Sequence, residues 1–244
     1  MRTLLALLFL LVFFTISIPL YLLEFILYKI NPRLSARSSQ AIVVKAMRIL
    51  LFLCGVKKTV IGAENIPKDQ SVLYVFNHRS YFDILVGYTS VPNLSCYVAK
   101  KEIARVPFLS WWMYFLNCLF LDRDNIREGL KTILKGVELI KKGYSVFIAP
   151  EGTRNHKPEM LPFKEGSLKI AEKTGCAIIP VSINNTDNIF ENHMPWIKRA
   201  HVIIEFGKPI YPNDLDKEKR KFLGAYVQGI IRETLDRNAR LVEF

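Results

Sequence analysis

Val72-Leu73-Tyr74-Val75-Phe76-Asn77-His78-Arg79-Ser80-Tyr81-Phe82-Asp83 opens as an apolar strand and closes as a polar turn into a helix. Residues 72–76 are apolar without a break, the pattern of a strand buried on both faces of a sheet. Ser80 with Asp83 three residues on has the spacing of a capping box, which starts the next helix. His78 sits between the two elements. Open α/β sheets build their sites there, just past the carboxyl end of a strand.

The same alternation extends outward. Short apolar runs recur at 96–99, 118–121, 145–149, 177–183 and 202–206. Between them, 125–142 and 163–174 carry helical patterns, with Gly143 and Gly175 where their C-terminal stops belong. Residues 215–238 read as a closing amphipathic helix. Strands alternating with helices predict an α/β sheet flanked by helices on its faces.

Before this block the composition changes. Residues 3–23 contain no charged side chain, and a helix of that length spans roughly 30 Å, the thickness of a bilayer's hydrocarbon core. A soluble core helix would show a polar face, and this segment has none. A removed signal peptide would be shorter and followed closely by a small-residue cleavage site. The segment therefore reads as a retained membrane anchor.

Only Arg2 precedes it, whereas Lys29, Arg33, Arg37, Lys45 and Arg48 follow. The positive-inside tendency then places the rest of the chain on the cytoplasmic side. Residues 41–53 are apolar except for Lys45 and Arg48, which share one helical face as in an interfacial amphipathic helix. Asn31-Pro32-Arg33 breaks the first helix from the second. The pair fits a transmembrane helix followed by a surface helix, or a hairpin embedded in one leaflet. Residues 1–56 are thus expected to form a membrane anchor of one or two helices, and 57–244 a catalytic domain.

The 244 residues are half hydrophobic, include 16 Phe and 10 Tyr, and carry a formal charge of +12. A core is available, and general disorder is excluded. The charge calls for an acidic partner, such as an anionic membrane or a phosphorylated or CoA-like substrate. It is spread along the chain without any nucleic-acid module, so nucleic acid is not an expected partner. Cys54, Cys96, Cys118 and Cys176 lack paired spacing. That argues against a metal site or redox pair and fits a reducing compartment.

Among the histidines, His156, His193 and His201 have no aspartate five residues on; His78 does. If the chain turns at Ser80, the Asp83 carboxylate folds back onto one imidazole nitrogen. That fixes the tautomer and leaves the other nitrogen as a general base. The spacing also suits a plain helix start with His78 as a loop residue. Ser80 lies too close along the chain for a Ser-His-Asp triad, and the G-x-S-x-G elbow is absent.

Glu151-Gly152-Thr153-Arg154 follows another apolar run and Pro150. One reading is an exposed turn with a weak Glu–Arg pair. The other is an anion site, with Gly152 allowing close backbone approach and Arg154 acting as a bidentate donor. Lys100, Lys101 and Arg123 also follow strand-like runs. Cations at the ends of neighbouring strands would converge on one pocket.

From residue 57 to about 212 the chain resembles the 1-acylglycerol-3-phosphate (lysophosphatidic acid) acyltransferases of the glycerolipid acyltransferase family. Asn77-His78-x-Ser80-x-x-Asp83 resembles the family's catalytic motif. Ala99-Lys100-Lys101-Glu102 with Val106-Pro107-Phe108, then Phe120-Leu121-Asp122-Arg123, are similar to its second block. Pro150-Glu151-Gly152-Thr153-Arg154 with Phe163-Lys164-Glu165-Gly166 are similar to its third, and Ile179-Pro180-Val181 to its fourth. Ser110 stands where a glycine is usual, and Ala149 where an aromatic is usual.

The resemblance implies a mixed sheet flanked by helices, preceded by the membrane-embedded segment. It implies acyl transfer from a thioester, acyl-CoA or acyl carrier protein, to 1-acylglycerol-3-phosphate, giving phosphatidic acid in phospholipid biosynthesis. His78 would be the base and Asp83 its orienting partner. Arg154, Arg123 and Lys100 would hold the acceptor phosphate, with Glu151, Gly152 and Thr153 shaping that site. No metal or cofactor is expected, because the thioester is already activated. Two alternatives stand beside this reading: an acyltransferase for another lyso-lipid such as lyso-ornithine lipid, and a non-catalytic membrane-binding protein.

Overall fold

The computed structural model describes residues 1–157 and 159–243. Two long helices come first, α1 (Arg2–Ile30) and α2 (Pro32–Cys54). Asn31 separates them: its backbone is extended, and its side chain accepts the amides of Arg33 and Leu34. It is an N-cap with Pro32 at the first helical position, where the missing N–H costs nothing. The Ser35 hydroxyl meets the Glu24 carboxylate at 3.0 Å across this break, so α1 and α2 fold back on each other as a hairpin.

The sheet is built from β1 (Val56–Ile61), β2 (Leu73–Phe76), β3 (Ser95–Lys100), β4 (Leu119–Leu121), β5 (Ser145–Ile148), β6 (Ile178–Asn184) and β7 (Ala200–Phe206). Their order is β1-β7-β6-β2-β5-β3-β4. β6 and β7 pair antiparallel, and every other neighbouring pair is parallel. The sheet is therefore mixed, as expected.

The remaining helices are α3 (Phe82–Tyr88), α4 (Leu109–Phe115), α5 (Ile126–Lys141), α6 (Lys169–Thr174), α7 (Lys217–Lys221) and α8 (Leu223–Ala239). α1–α4 pack with one another, while α5 packs on α6, β4 and β5, and α8 on β6. The core centres on β2, β5 and β6. There Tyr74 stacks on Phe147 at 4.2 Å and Tyr97 stacks on its other side at 4.4 Å. α3 lies so close to the sheet at Gly87 that a Cβ there would sit 1.9 Å from Tyr97 Oη.

Four details depart from the sequence reading. β1, at the sheet edge, was not among the expected strands. α4 was not anticipated either. The helix expected over 163–174 is a 3-10 turn (Glu165–Leu168) followed by the short α6. The closing helix is broken at Phe222, whose φ/ψ of −116/44 is not helical, into α7 and α8.

Candidate active site

His78 lies two residues beyond β2, held in place from below. Asn77 is buried; its side chain donates to the Ile183 carbonyl and accepts the Ile183 amide, both at 2.9 Å, pinning the end of β2 to β6. The His78 amide donates to Glu151 Oε1, and the His78 carbonyl accepts the Asn155 amide at 2.8 Å. Since β2 and β5 are parallel neighbours, their carboxyl ends carry the two loops to the same rim.

The imidazole is oriented by Asp83. Its Oδ2 lies 2.8 Å from His78 Nδ1 and also accepts the amides of Arg79 at 2.8 Å and Ser80 at 2.9 Å. Its Oδ1 accepts the Thr186 hydroxyl. Asp83 is fully buried, whereas the His78 side chain keeps 18% of its surface exposed. A carboxylate is acceptor-only, so His78 Nδ1 carries the proton and Nε2 presents a lone pair. This is the geometry of an oriented general base.

The same residues satisfy the capping geometry. Ser80 Oγ accepts the Phe82 amide at 3.0 Å while Asp83 reaches back to the Ser80 amide. The helix start and the His–Asp pair are one structure. Ser80 Oγ also donates to Glu191 Oε2 at 2.7 Å and is fully buried, which does not suit a nucleophile.

A family model described as Acyltransferase matches residues 57–184. The chain belongs to this acyltransferase family. It is 36% identical over 144 residues to a 1-acyl-sn-glycerol-3-phosphate acyltransferase of Borreliella burgdorferi, covering 59% of this chain and 58% of that protein. The protein of the same name from Saccharomyces cerevisiae is 31% identical over 191 residues, 77% of this chain and 62% of its own length. The chain thus spans about three-fifths of these curated relatives (58% and 62%). The crystal structure of the 1-acyl-sn-glycerophosphate (LPA) acyltransferase PlsC from Thermotoga maritima matches with a TM-score of 0.76 and 26% identity, over 97% of both chains.

The other residues singled out in this acyltransferase sequence lie along the same rim. Lys100 ends β3, the neighbour of β5, and Arg123 follows β4, the edge strand beyond β3, so both sit at carboxyl ends of parallel strands. Arg123 is half-buried, and its Nε has no hydrogen-bond partner among the described residues. Burial pushes its pKa down, against the pull of Glu102 and Asp124. A desolvated cation in that state favours an anionic ligand. Lys100 reaches Glu102 at 3.3 Å and remains half-exposed.

Arg154 is placed differently. Its guanidinium stacks on the Tyr81 ring at 3.6 Å, donates to Tyr81 Oη at 2.9 Å and lies 3.6 Å from Glu191. Glu151 is buried, and its carboxylate spans the His78 and Leu161 amides. Gly152 has φ +77, and a Cβ there would lie 3.0 Å from Lys164 Nζ. Thr153 is exposed. A cavity of about 760 Å³ opens behind the histidine loop, lined by Asn77, Arg79, Glu151, Asp187 and Arg232 among others. Lys100, Arg123 and Arg154 do not line it.

Two functional residues escaped the sequence reading. Thr186 completes the Asp83 carboxylate, and Glu191 ties Ser80 Oγ, the Tyr81 amide and Arg154 together. The polar cluster Asn184-Asn185-Thr186 just after an apolar run was the available signal for Thr186.

Proposed function

We propose that the chain transfers an acyl group from an acyl thioester to the free hydroxyl of 1-acylglycerol-3-phosphate, forming phosphatidic acid. The observation that carries this reading is the His78–Asp83 pair, whose contact through Nδ1 leaves Nε2 to face a substrate, on the strand-end rim that also holds Arg123, whose Nε has no hydrogen-bond partner among the described residues. The names of the relatives support the acceptor.

In this reading His78 Nε2 removes the acceptor hydroxyl proton as its oxygen attacks the thioester carbonyl. The tetrahedral oxyanion then collapses, the C–S bond breaks, and the proton passes from His78 to the departing thiolate. Asp83 stabilises the imidazolium in between. Arg123 takes the acceptor phosphate first, with Lys100 beside it; Arg154 joins by sharing or releasing Glu191. Glu151 and Gly152 act by shaping the loop under His78. The thioester needs no further activation, so neither a metal nor a cofactor enters the scheme. The donor is acyl-CoA or acyl carrier protein.

The anchor reading becomes more specific. α1 is apolar and long enough to cross a bilayer, yet it touches the catalytic body along its length. Thr3 Oγ1 accepts the Ile197 amide, Ser17 Oγ accepts Trp112 Nε1–H, and Tyr21 Oη donates to the Phe108 carbonyl. A helix carried to the far side of a membrane would lose one end of these contacts. They support a hairpin seated in one leaflet, with the catalytic domain on the cytoplasmic side that the cationic flank prefers.

The test is transfer of labelled acyl groups from acyl-CoA and acyl carrier protein to purified acceptors in detergent. Phosphatidic acid as the main product is the expected result. Transfer to lyso-ornithine lipid but not to lysophosphatidic acid would overturn the acceptor while keeping the chemistry.

A further inference from the structure

The segment that supplies Thr186 and Glu191 continues past the site to the amino-terminal end of α1. Its loop is ordered by its own backbone: the Trp196 amide donates to the His193 carbonyl at 2.8 Å, and the Lys198 amide to the Ile189 carbonyl at 2.9 Å. Within this ordered loop Met194 and Trp196 are 64% and 63% exposed. Ile197 turns inward and its amide is bound by Thr3 of α1. The exposed pair therefore immediately precedes the point where the chain is tied to the start of α1, which displays Leu4, Leu5, Leu7 and Leu8. A notch of about 430 Å³ next to this junction is lined by Arg2, Ile197, Lys198 and Arg199.

We propose that the Met194–Trp196 loop is a second membrane-contact element, inserting Met194 and Trp196 into the lipid interface while the Arg2, Lys198 and Arg199 notch takes anionic headgroups. This loop contact rests on the one-leaflet seating of α1 proposed above and extends it. The loop is tied to the exposed apolar start of α1 through Ile197 and Thr3, and tryptophan prefers the headgroup boundary, where its ring is apolar and its N–H stays wet. A cationic notch beside exposed apolar side chains matches an anionic bilayer surface. The exposed stripe of Ile126, Leu130 and Leu134 on α5 is excluded from this surface, because α5 belongs to the opposite layer of the sheet.

The contact also reaches the catalytic loop. Glu191 precedes Met194 by three residues and binds Ser80, the Tyr81 amide and Arg154. Seating the loop in lipid would hold Glu191, and with it the histidine turn, at the surface where a lyso-lipid arrives.

All four native cysteines are buried, so a new thiol at Trp196→Cys or Met194→Cys in the full chain can be labelled selectively. An environment-sensitive fluorophore there is read with vesicles of phosphatidylcholine and phosphatidylglycerol carrying brominated acyl chains. Labels at 194 and 196 should shift to the blue and be quenched, while a label at Leu130→Cys stays aqueous. Met194→Ala combined with Trp196→Ala should weaken vesicle partitioning on the order of tenfold. Labels that stay aqueous and unquenched on protein that co-floats with the vesicles would overturn the loop contact and leave the α1 seating intact. Protein that does not co-float at all would overturn the seating itself, and the loop contact with it.

Discussion

The Thr186 hydroxyl donates to Asp83 Oδ1, 103 residues away in the chain, and so fills the side of that carboxylate which His78 does not use. Asp83 Oδ2 serves the imidazole and two amides. Each oxygen of a fully buried carboxylate is thereby satisfied, and the side chain has one orientation. The histidine's tautomer follows from that orientation.

This arrangement separates two substitutions. Asp83→Asn can keep its oxygen toward the three N–H donors and turn its amide toward Thr186, so it should fold. It loses the charge that stabilises the imidazolium, and kcat should fall about 10²- to 10⁴-fold with little change in KM. Thr186→Val instead leaves a buried carboxylate oxygen without a donor, at a cost of about 1.5–3 kcal/mol in stability. Thermal melts and acyl-transfer rates measured together distinguish the two; equal losses of stability in both would contradict the assignment.

Arg123 and Arg154 should respond unequally. Arg123 Nε has no hydrogen-bond partner among the described residues, whereas Arg154 is stacked on Tyr81 and faces Glu191. Arg123→Ala should raise KM for the phosphate-bearing acceptor about 10- to 100-fold, as loss of a charge-assisted contact of about 1.5–3 kcal/mol predicts. Arg154→Ala should raise it less, because the guanidinium gives up existing contacts to bind. Steady-state kinetics over acceptor concentration decides this, and a larger effect at Arg154 would reverse the order of roles.

The close approach of α3 to the sheet gives a stability test. Alanine at Gly87 would drive its Cβ into Tyr97 Oη, an atom that is buried without a hydrogen-bond partner among the described residues. Gly87→Ala should lose about 1–3 kcal/mol through overpacking. Tyr97→Phe removes that oxygen and should be neutral or stabilising alone, and it should recover most of the Gly87→Ala loss. Additive effects in denaturant titrations would mean that the clash lies elsewhere.

Lys58 supplies a pH dependence. Burial, with Arg48 nearby, lowers its pKa to about 8, although its ammonium donates to the Thr89 carbonyl and to the Thr89 and Ser90 hydroxyls. The unfolded chain, with an ordinary lysine pKa near 10.4, binds more protons than the folded one between these values. Stability from this group therefore rises with pH from about 8 to about 10.4. Relative to Lys58→Met, the wild-type Tm should climb across that window and be parallel below it. A constant difference would show that Lys58 stays charged in the fold.

Much of this was legible in the sequence because it is local. Unbroken apolar runs marked the central strands, and the rule that sites form at strand carboxyl ends placed His78 and Glu151 on one rim. The spacing from Ser80 to Asp83 encoded a helix start and an oriented histidine together.

What escaped notice was non-local or lacked a period. Glu191 meets Ser80 across 111 residues, so no window of sequence contains the pair. β1 carries Lys57 and Lys58 in its middle, which suits an edge strand but hides its apolar alternation. α4 is apolar at every position but Ser110, so no helical period stands out. The inward role of Glu151 could not be read from an exposed-looking turn.

The most direct test is acyl transfer to lysophosphatidic acid by wild type and His78→Ala, purified in the same detergent and checked for equal melting. The account predicts phosphatidic acid from the wild type and a rate about 10²- to 10⁴-fold lower from His78→Ala, with KM for the acceptor nearly unchanged. A His78→Ala enzyme that keeps the wild-type rate would contradict the assignment of His78 as the base.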